Sequence, residues 1–305
     1  MTQVGSRGHD PIPIGEVAAP AFARLPEPHL LFARRAERLR TLAHGHELKS
    51  YLLFLADLAA VQHALQDGLP PAVLPDADVI ARARAHAMPP LDRSRFTADP
   101  VCDATIERLV ASADGLEMPA AARAALTRVR TADGAVVAEM VHAVLADAIP
   151  VEAIAEHAFV AAALQAHFAR LAARLDGAAL VPVGDGACPA CGGPPVSCML
   201  VGWLGAHGAR FCACSLCATL WNYVRIKCTL CGSTEGISYR EVEGGPGTVK
   251  AEICESCRGY VKILQQHKDP NADPFADDIA SLGLDLLVRE AGFRRGGVNP
   301  FLLGY

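Results

Sequence analysis

The stretch CPACGGPPVSCMLVGWLGAHGARFCACSLC, residues 188–217, holds six of the eleven cysteines of this 305-residue chain. Two CxxC pairs open and close the stretch, whereas residues 1–187 contain one cysteine, Cys102. In a CxxC pair both sulfurs can reach the same metal ion, and in a reducing compartment such pairs bind metal more often than they form disulfides. The stretch therefore predicts a metal-binding unit, and the change in composition predicts a domain boundary just before it.

The CxxC pattern is repeated forty residues further along the chain, with a glycine at the same offset in both copies, Gly192 and Gly232. This period indicates an internal duplication. A duplicated unit is expected to carry its own four-cysteine site, so pairing within each copy is favoured over pairing between copies. Site 1 is expected to contain Cys188, Cys191, Cys214 and Cys217, and site 2 Cys228, Cys231, Cys254 and Cys257.

Four thiolate sulfurs suit either a tetrahedral Zn²⁺ or a single iron ion, since both metals accept soft ligands. The CPACG turn at residues 188–192 fits zinc ribbons and rubredoxin-type iron sites alike, so the spacing leaves the metal open. Units of ~30 residues bury too little apolar area to fold alone, and metal ligation is expected to supply most of their stability. The segments LWNYVRIKC (220–228) and GYVKILQQH (259–267) are predicted to be strands.

Upstream of the cysteines, Ala and Leu recur at helical spacing. Phe32, Ala36 and Leu39 form the apolar stripe of the first predicted helix, and the arginines in the range 34–40 are expected to be solvated, as are those in the range 289–295. The predicted helices lie at 29–43, 47–65, 76–87, 100–113, 119–130, 134–147 and 151–175.

The C-terminal region carries the signals of one more helix. Asp273 is placed to cap it, Pro274 suits its first position and Gly292 is placed to end it. The apolar residues 301–303 follow a segment rich in Gly and Pro, so they are expected to pack back onto the body.

Composition excludes several classes of protein. The chain is 51% hydrophobic with a formal net charge of -5, a balance typical of a folded soluble protein that lacks a general affinity for nucleic acid. Between residues 188 and 268, eight Lys or Arg face five Glu, and two metal ions held by thiolates would leave this region almost neutral. The first fifteen residues contain no apolar run long enough for a signal peptide, and no apolar run in the chain is long enough for a membrane span, so a cytoplasmic location is expected.

Catalysis is not expected, because no nucleophile beside a base, no glycine-rich phosphate loop and no pair of carboxylates stands out. His44 and His46 flank a helix break and are expected to face solvent or to cap a helix. His207 is a loop residue without an evident partner.

Two further sets of residues carry open alternatives. The first set lies on one face of the strand predicted at 220–228 and consists of Trp221, Tyr223, Arg225 and Lys227. This face would be either an edge for docking a partner or the exposed side of a hairpin. The second set is Cys198 and Cys212, which lie outside the CxxC pairs and are expected to be small buried residues, with reactive thiols as the alternative.

Seven segments spread over nearly the whole chain are together far more specific than a lone CxxC pair. They are LFARRAERLRTLA, SYLLFLADLAAVQ, CPACG, LWNYVRIKCTLCG, AEICESCRGYVKIL, KDPNADPFADDIASLGLDLL and NPFLL. With these segments the chain resembles the bacterial formate dehydrogenase accessory proteins of the FdhE family.

The resemblance implies a cytoplasmic, non-catalytic maturation factor for respiratory formate dehydrogenase, a molybdenum or tungsten enzyme with iron–sulfur clusters. Such a factor acts on the catalytic subunit before export, with no nucleic acid, membrane insertion or small-molecule substrate. The resemblance also implies iron in two mononuclear Fe(Cys)₄ sites at the eight CxxC cysteines, with zinc as the alternative. Two other functions stay open: a thiol-redox or sulfur-relay protein with free CxxC pairs, and a zinc-ribbon protein that binds nucleic acid.

The expected fold class is α+β and multidomain. An all-α domain spans residues 1–180, and two tandem rubredoxin-like, or zinc-ribbon-like, Cys₄ modules follow at 181–225 and 226–268. Residues 269–305 are expected to form the C-terminal helix and a tail packed on the body.

Overall fold

The computed structural model describes residues 20–302. Helix α7 (Ile154–Ala172) lies at the centre of its helical body. Fifteen of its nineteen residues are buried, on every side of the helix, as expected for a helix that others surround. The predicted helical body is confirmed. The remaining helices of the body are α1 (Pro28–Leu42), α2 (Lys49–Ala64), α3 (Ala77–Ala85), α4 (Pro100–Ala113), α5 (Ala120–Thr131) and α6 (Gly134–Leu145).

Local sequence signals account for several helix ends. The Asp99 carboxylate accepts a hydrogen bond from the Cys102 backbone N–H at the start of α4, and Asp133 accepts one from Val136 at the start of α6. These bonds satisfy backbone donors that have no partner inside the helix. Gly45 has φ +71° in the turn between α1 and α2, a conformation that glycine adopts without strain.

One eight-stranded sheet carries both cysteine repeats. Its strands are β1 (Ala23–Arg24), β2 (Pro195–Leu200), β3 (Arg210–Cys214), β4 (Leu220–Asn222), β5 (Ile237–Arg240), β6 (Val249–Cys254), β7 (Gly259–Gln265) and β8 (Arg294–Arg295). The order is β1-β4-β3-β2-β7-β6-β5, and β8 pairs in parallel with β7. Neighbouring strands within a repeat are antiparallel, whereas β2 and β7 join the two repeats in parallel. Because β2 and β7 pair with each other, neither repeat leaves an open sheet edge at this junction.

The strand predicted at 220–228 is too long, and the shared face predicted for its aromatic and basic residues does not exist. Strand β4 ends at Asn222, and Trp221 points into the core with 2% of its surface exposed. The chain then turns, and the Tyr223 hydroxyl donates a hydrogen bond to the Cys228 carbonyl, 3.2 Å away. Arg225 and Lys227 lie in this turn, because the chain must bend there to begin the second cysteine repeat.

The single helix predicted at the C-terminus is also wrong. Two short helices form instead, α8 (Ala276–Ala280) and α9 (Leu282–Glu290), with a break at Ser281. The ammonium of Lys262, in β7, donates hydrogen bonds to the carbonyls of Asp278 and Ser281, so the carbonyls freed by the break have a partner. Ser281 and Gly283 are weak helix formers, so the sequence carries a local signal for the break, and Lys262 supplies a partner for the carbonyls there.

Both ends of the C-terminal region match the prediction. The Asp273 carboxylate accepts hydrogen bonds from the backbone N–H groups of Phe275 and Ala276, and Gly292 has φ +83° after the end of α9. In the tail, Phe301 and Leu302 are buried, and Leu303 lies outside the described residues. Among residues 20–302, no helix is both long and apolar enough to cross a membrane.

Of the four arginines in the range 34–40, Arg34 and Arg40 are exposed as the sequence predicts, whereas Arg35 and Arg38 are not. Arg35 is 3% exposed, and its guanidinium lies over the ring of Phe275, 4.0 Å from the ring centroid. Arg38 is paired with acidic residues of the C-terminal segment. The C-terminal segment therefore covers this side of α1.

Candidate metal centres

Cluster 1 consists of the four sulfurs of Cys188, Cys191, Cys214 and Cys217. All four sulfurs lie within 4.8 Å of one another, and each of the four residues is 0% exposed. The Sγ atoms of Cys188 and Cys217 are 3.6 Å apart, and those of Cys191 and Cys214 are 3.4 Å apart. The first CxxC pair precedes β2 and the second follows β3, so the β2–β3 hairpin brings the two pairs together.

Cluster 2 repeats this arrangement with Cys228, Cys231, Cys254 and Cys257, whose sulfurs also lie within 4.8 Å of one another. The Sγ distances are 3.9 Å between Cys228 and Cys257 and 3.8 Å between Cys231 and Cys254. The first pair precedes β5 and the second joins β6 to β7. The sulfurs thus gather within each repeat, as the forty-residue period predicts.

The first CxxC loop of each repeat has the same backbone turn. Gly192 donates its N–H to the Cys188 carbonyl at 2.8 Å, and Gly232 donates to the Cys228 carbonyl at 3.0 Å. Both glycines have positive φ, +75° and +73°, in the left-handed region that residues with a Cβ rarely adopt. The matched glycines of the sequence therefore mark the two turns that present sulfur.

The second CxxC loops use a left-handed residue that is not glycine. Ala218 follows Cys217 with φ +59°, and Arg258 follows Cys257 with φ +55°. Neither residue type predicts positive φ, so the sequence carries no signal for these two positions. The Arg258 guanidinium stacks on the ring of Phe293 at 3.9 Å from the centroid, a contact that helps to hold the second of these loops.

Both sets of sulfurs fit a tetrahedral ion. A metal–sulfur distance of about 2.3 Å places the sulfurs of a tetrahedral site ~3.8 Å apart, and the four measured Sγ pairs span 3.4 to 3.9 Å. Backbone N–H groups also point at sulfur, from Leu216 and Cys217 to Cys214 and from Leu230 to Cys228, each at 3.4 Å. Such bonds stabilise thiolate charge, so the donor set suits a thiolate-bound metal.

Without a cation, several of these thiols hold their protons tightly. Burial raises the pKa of Cys188 well above that of an ordinary cysteine, and it raises the pKa of Cys228 to about 12. Burial has the same tendency at Cys254, but backbone N–H groups of Cys257 and Ser256 outweigh it and lower the pKa of Cys254 to about 7. An ion entering either cluster must displace protons from such thiols, so metal binding depends on pH.

The two clusters differ in their covering. A segment before α4 lies across cluster 1, where Leu91 donates its N–H to the Ala190 carbonyl at 2.9 Å and Arg93 donates to the Cys191 carbonyl at 3.1 Å. From α7, the Gln165 amide donates to the carbonyl of Ser215, in the other loop of this cluster. Nothing in the cysteine pattern indicates these contacts.

Cluster 2 has an open side. Cys231 is exposed and Cys257 is half-buried, whereas Cys228 and Cys254 are 4% and 2% exposed. Cluster 1 is thus enclosed by the helical body, and cluster 2 reaches the surface.

The histidines considered in the sequence and Cys102 belong to neither cluster, and each cluster consists of cysteine alone. His46 hydrogen-bonds through its ring nitrogens to the Ala280 carbonyl and the Leu48 N–H, a structural role near a helix start. His44 and His207 are exposed. Cys102 is buried in α4, as predicted, and burial raises its pKa to about 12.

Three family models match consecutive parts of the chain. The model described as FdhE, N-terminal, matches residues 20–185, the FdhE central domain matches 187–225, and the FdhE C-terminal domain matches 226–302. Together the three models cover the helical body, both clusters and the C-terminal segment.

Curated relatives and a solved structure agree with these models. A protein from Rhizobium meliloti (strain 1021), named Protein FdhE homolog, is 50% identical over 298 residues, which are 97% of each chain. A Protein FdhE homolog from Pseudomonas aeruginosa is 37% identical over 297 residues, 92% of this chain and 94% of that one. The crystal structure of the FdhE protein from Pseudomonas aeruginosa matches with a TM-score of 0.83 at 35% identity, covering 93% of this chain and 99% of that chain. On this evidence of sequence and fold, the chain belongs to the FdhE family.

Proposed function

We propose that this protein is a non-catalytic accessory factor for the assembly of active respiratory formate dehydrogenase. The observation that carries the proposal is membership of the FdhE family over residues 20–302, in a chain that keeps both four-cysteine clusters. The factor acts in the cytoplasm on the catalytic subunit of the enzyme, before that subunit is exported. It takes no small-molecule substrate and binds no nucleic acid.

The clusters hold metal in this proposal, each as one iron ion bound by four thiolates, with zinc as the alternative. The sulfur spacing and the N–H groups directed at sulfur support a tetrahedral tetrathiolate site. Either metal would cross-link the loops that carry the cysteines. Iron would in addition give the protein one-electron chemistry, whereas zinc has none.

The covering of the clusters supports a division of roles between them. Cluster 1 is enclosed between the sheet and the helical body, so its metal would order the two loops of the first cysteine module, residues 181–225, that contact this body. Cluster 2, in the second module at 226–268, exposes Cys231. We assign the interaction with a partner or with an electron carrier to this second cluster.

Metal analysis tests the nature of the sites. The protein is purified without added metal, and iron and zinc are measured per chain beside the absorption spectrum. Two irons, with sulfur-to-iron charge-transfer bands that bleach on reduction, are expected. Two zincs and a featureless spectrum would leave a scaffold role only, and native protein with no metal and freely alkylated CxxC thiols would favour the sulfur-relay function instead.

A genetic experiment tests the accessory role. Deleting the gene in its own bacterium is expected to abolish formate-dependent dye reduction, and the wild-type chain is expected to restore it. A variant with Cys228→Ser and Cys231→Ser is expected to fail, whereas Cys102→Ser, which changes a buried cysteine outside both clusters, serves as the matched control. Undiminished formate oxidation in the deletion strain would refute the proposal.

A further inference from the structure

Cys198 and Cys212 form a facing pair that belongs to neither cluster. Cys198 lies on β2 and Cys212 directly opposite it on β3, with the two Sγ atoms 3.2 Å apart. They are 1% and 0% exposed. The two residues are 14 positions apart in sequence, and only the register of the hairpin brings their sulfurs together.

The register places the pair where a disulfide can close. Val201 donates its N–H to the Ala209 carbonyl, and hydrogen-bonded pairs alternate with non-hydrogen-bonded ones along an antiparallel ladder. Cys198 and Cys212 therefore occupy a non-hydrogen-bonded position, where opposite Cα atoms are about 4.5 Å apart and side chains are closest. A disulfide spans Cα distances of roughly 4.4–6.8 Å, so it needs no movement of the backbone.

A buried cation lies beside the pair. Arg210 is 1% exposed and forms an ion pair with Glu252 at 2.8 Å, yet within residues 20–302 its Nε and Nη2 atoms have no hydrogen-bond partner. The Cys212 thiol and, after it, the charge of Arg210 lower the pKa of Cys198 to about 7, although burial acts in the opposite direction. A thiolate at Cys198 would accept hydrogen bonds from these unpaired N–H groups of the Arg210 guanidinium and would carry the opposite charge.

We propose that Cys198 and Cys212 are a third cysteine centre, an oxidisable dithiol that a peroxide converts into a cross-strand disulfide. The Cys198 thiolate attacks one peroxide oxygen, an S–O bond forms, the O–O bond breaks, and the departing hydroxide takes a proton to become water. The Cys212 sulfur then attacks the sulfenic sulfur of Cys198. An S–S bond forms, the S–O bond breaks, and the hydroxide leaves as water with the proton of Cys212. In sum, two thiols and one hydrogen peroxide give one disulfide and two waters.

The position of the pair links it to both clusters. Cys212 is two residues before the cluster 1 residue Cys214, and the Cys198 sulfur lies 3.9 Å from the hydroxyl of Thr229, inside the first loop of cluster 2. Oxidation here would cross-link β2 to β3 between the clusters and leave their eight sulfurs intact. The pair thus gives the protein a response to oxidant that does not consume a cluster sulfur.

The test uses the metal-loaded full-length protein and hydrogen peroxide as the probe. After graded oxidation the protein is denatured, its thiols are alkylated, and peptides are mapped by mass spectrometry while released metal is measured. Wild-type protein is expected to lose two of its eleven alkylatable cysteines, with a reductant-reversible link between the peptides that carry Cys198 and Cys212, before metal is released.

Three variants give the controls. Cys198→Ser is expected to keep every remaining thiol under the same treatment. Cys212→Ser is expected to be oxidised at Cys198 without forming a link, because the resolving thiol is missing. Cys102→Ser, with another buried cysteine changed, is expected to form the link as wild type does. If a serine variant fails to fold, the peptide map of the wild type alone decides. Oxidation that first reaches cluster cysteines and releases metal, or that leaves Cys198 and Cys212 unlinked, would overturn the proposal.

Discussion

The guanidinium of Arg38, in α1, donates hydrogen bonds to both carboxylate oxygens of Asp277, in α8, at 2.5 and 2.9 Å. The two residues are 239 positions apart, so this contact joins the beginning of the helical body to the end of the chain. Arg38 also donates to Asp269 at 2.6 Å, and one turn earlier Arg35 lies over the ring of Phe275. The C-terminal segment therefore fastens the body to the sheet that carries the clusters.

Removing this guanidinium leaves the carboxylate of Asp277, whose side chain is 4% exposed, buried without its cation. Arg38→Ala is therefore expected to lower the free energy of urea unfolding by roughly 3 kcal/mol. Arg40→Ala is the control, because Arg40 and its partner Asp57 are about half exposed and such pairs contribute less than about 1 kcal/mol. Equal losses in the two variants would mean that the Arg38 contact does not fasten the C-terminal segment.

Sequence patterns were sufficient wherever the deciding interactions are local. Helical spacing of apolar residues located the helices of the body, and the predicted cap Asp273 acts on a backbone N–H group three residues away. The period of forty gave the grouping of the eight sulfurs, because a duplicated unit keeps its own hairpin. Whether these sulfurs bind iron or zinc stays a prediction, since thiolate sulfur suits both metals.

Long-range interactions account for what the sequence did not reveal. The parallel pairing of β2 with β7 joins the two repeats, and no local pattern indicates it. Lys262 reaches from the sheet to the carbonyls at the break between α8 and α9, and Arg35 and Arg38 of α1 meet acids more than 200 positions away. A signal did exist for this last contact: the acid-rich KDPNADPFADD at 268–278 complements the arginines at 34–40 in charge.

Cluster 2 is expected to lose its metal before cluster 1. Cys231 is exposed and Cys257 half-buried, whereas every cysteine of cluster 1 is 0% exposed. A chromogenic chelator added to the zinc-loaded protein should therefore remove metal in two phases of similar amplitude. Their rates should differ on the order of tenfold, which corresponds to about 1.4 kcal/mol in the free energy of opening.

Paired variants assign the two phases. Cys231→Ser with Cys254→Ser removes two sulfurs of cluster 2, so only the slow phase of metal release should remain. Cys191→Ser with Cys214→Ser removes two sulfurs of cluster 1, so only the fast phase should remain. A single phase in the wild type, or a fast phase that survives the changes in cluster 2, would contradict the assignment from exposure.

The buried charges around Lys262 are expected to act as a balanced set. Its ammonium is fully buried and lies 3.2 Å from Asp278 and 2.5 Å from Asp285, and Arg295 pairs with the same two carboxylates. Lys262→Met leaves two buried carboxylates facing one guanidinium, so the free energy of unfolding should fall by roughly 3 kcal/mol or more. Adding Asp285→Asn restores the charge balance and should recover part of this loss. Strictly additive losses in the double variant would argue against the coupling.

The imidazole of His167, in α7, is expected to make stability fall in mild acid. It is 0% exposed and packs against Phe96 and Phe168, and burial lowers its pKa to about 4. Between its ordinary pKa of about 6.5 and this value, the unfolded chain binds a proton at His167 that the folded chain does not, so acid favours unfolding. From pH 7 to pH 5 this contribution amounts to about 2 kcal/mol.

Urea unfolding of variants at pH 7 and pH 5 tests this expectation. His167→Phe keeps an aromatic ring at this position, and the fall in its free energy of unfolding between the two pH values should be about 2 kcal/mol smaller than that of the wild type. His44→Gln changes an exposed histidine and should follow the wild type. Parallel pH profiles for wild type and His167→Phe would show that the imidazole gains a proton in the folded protein as readily as in the unfolded chain.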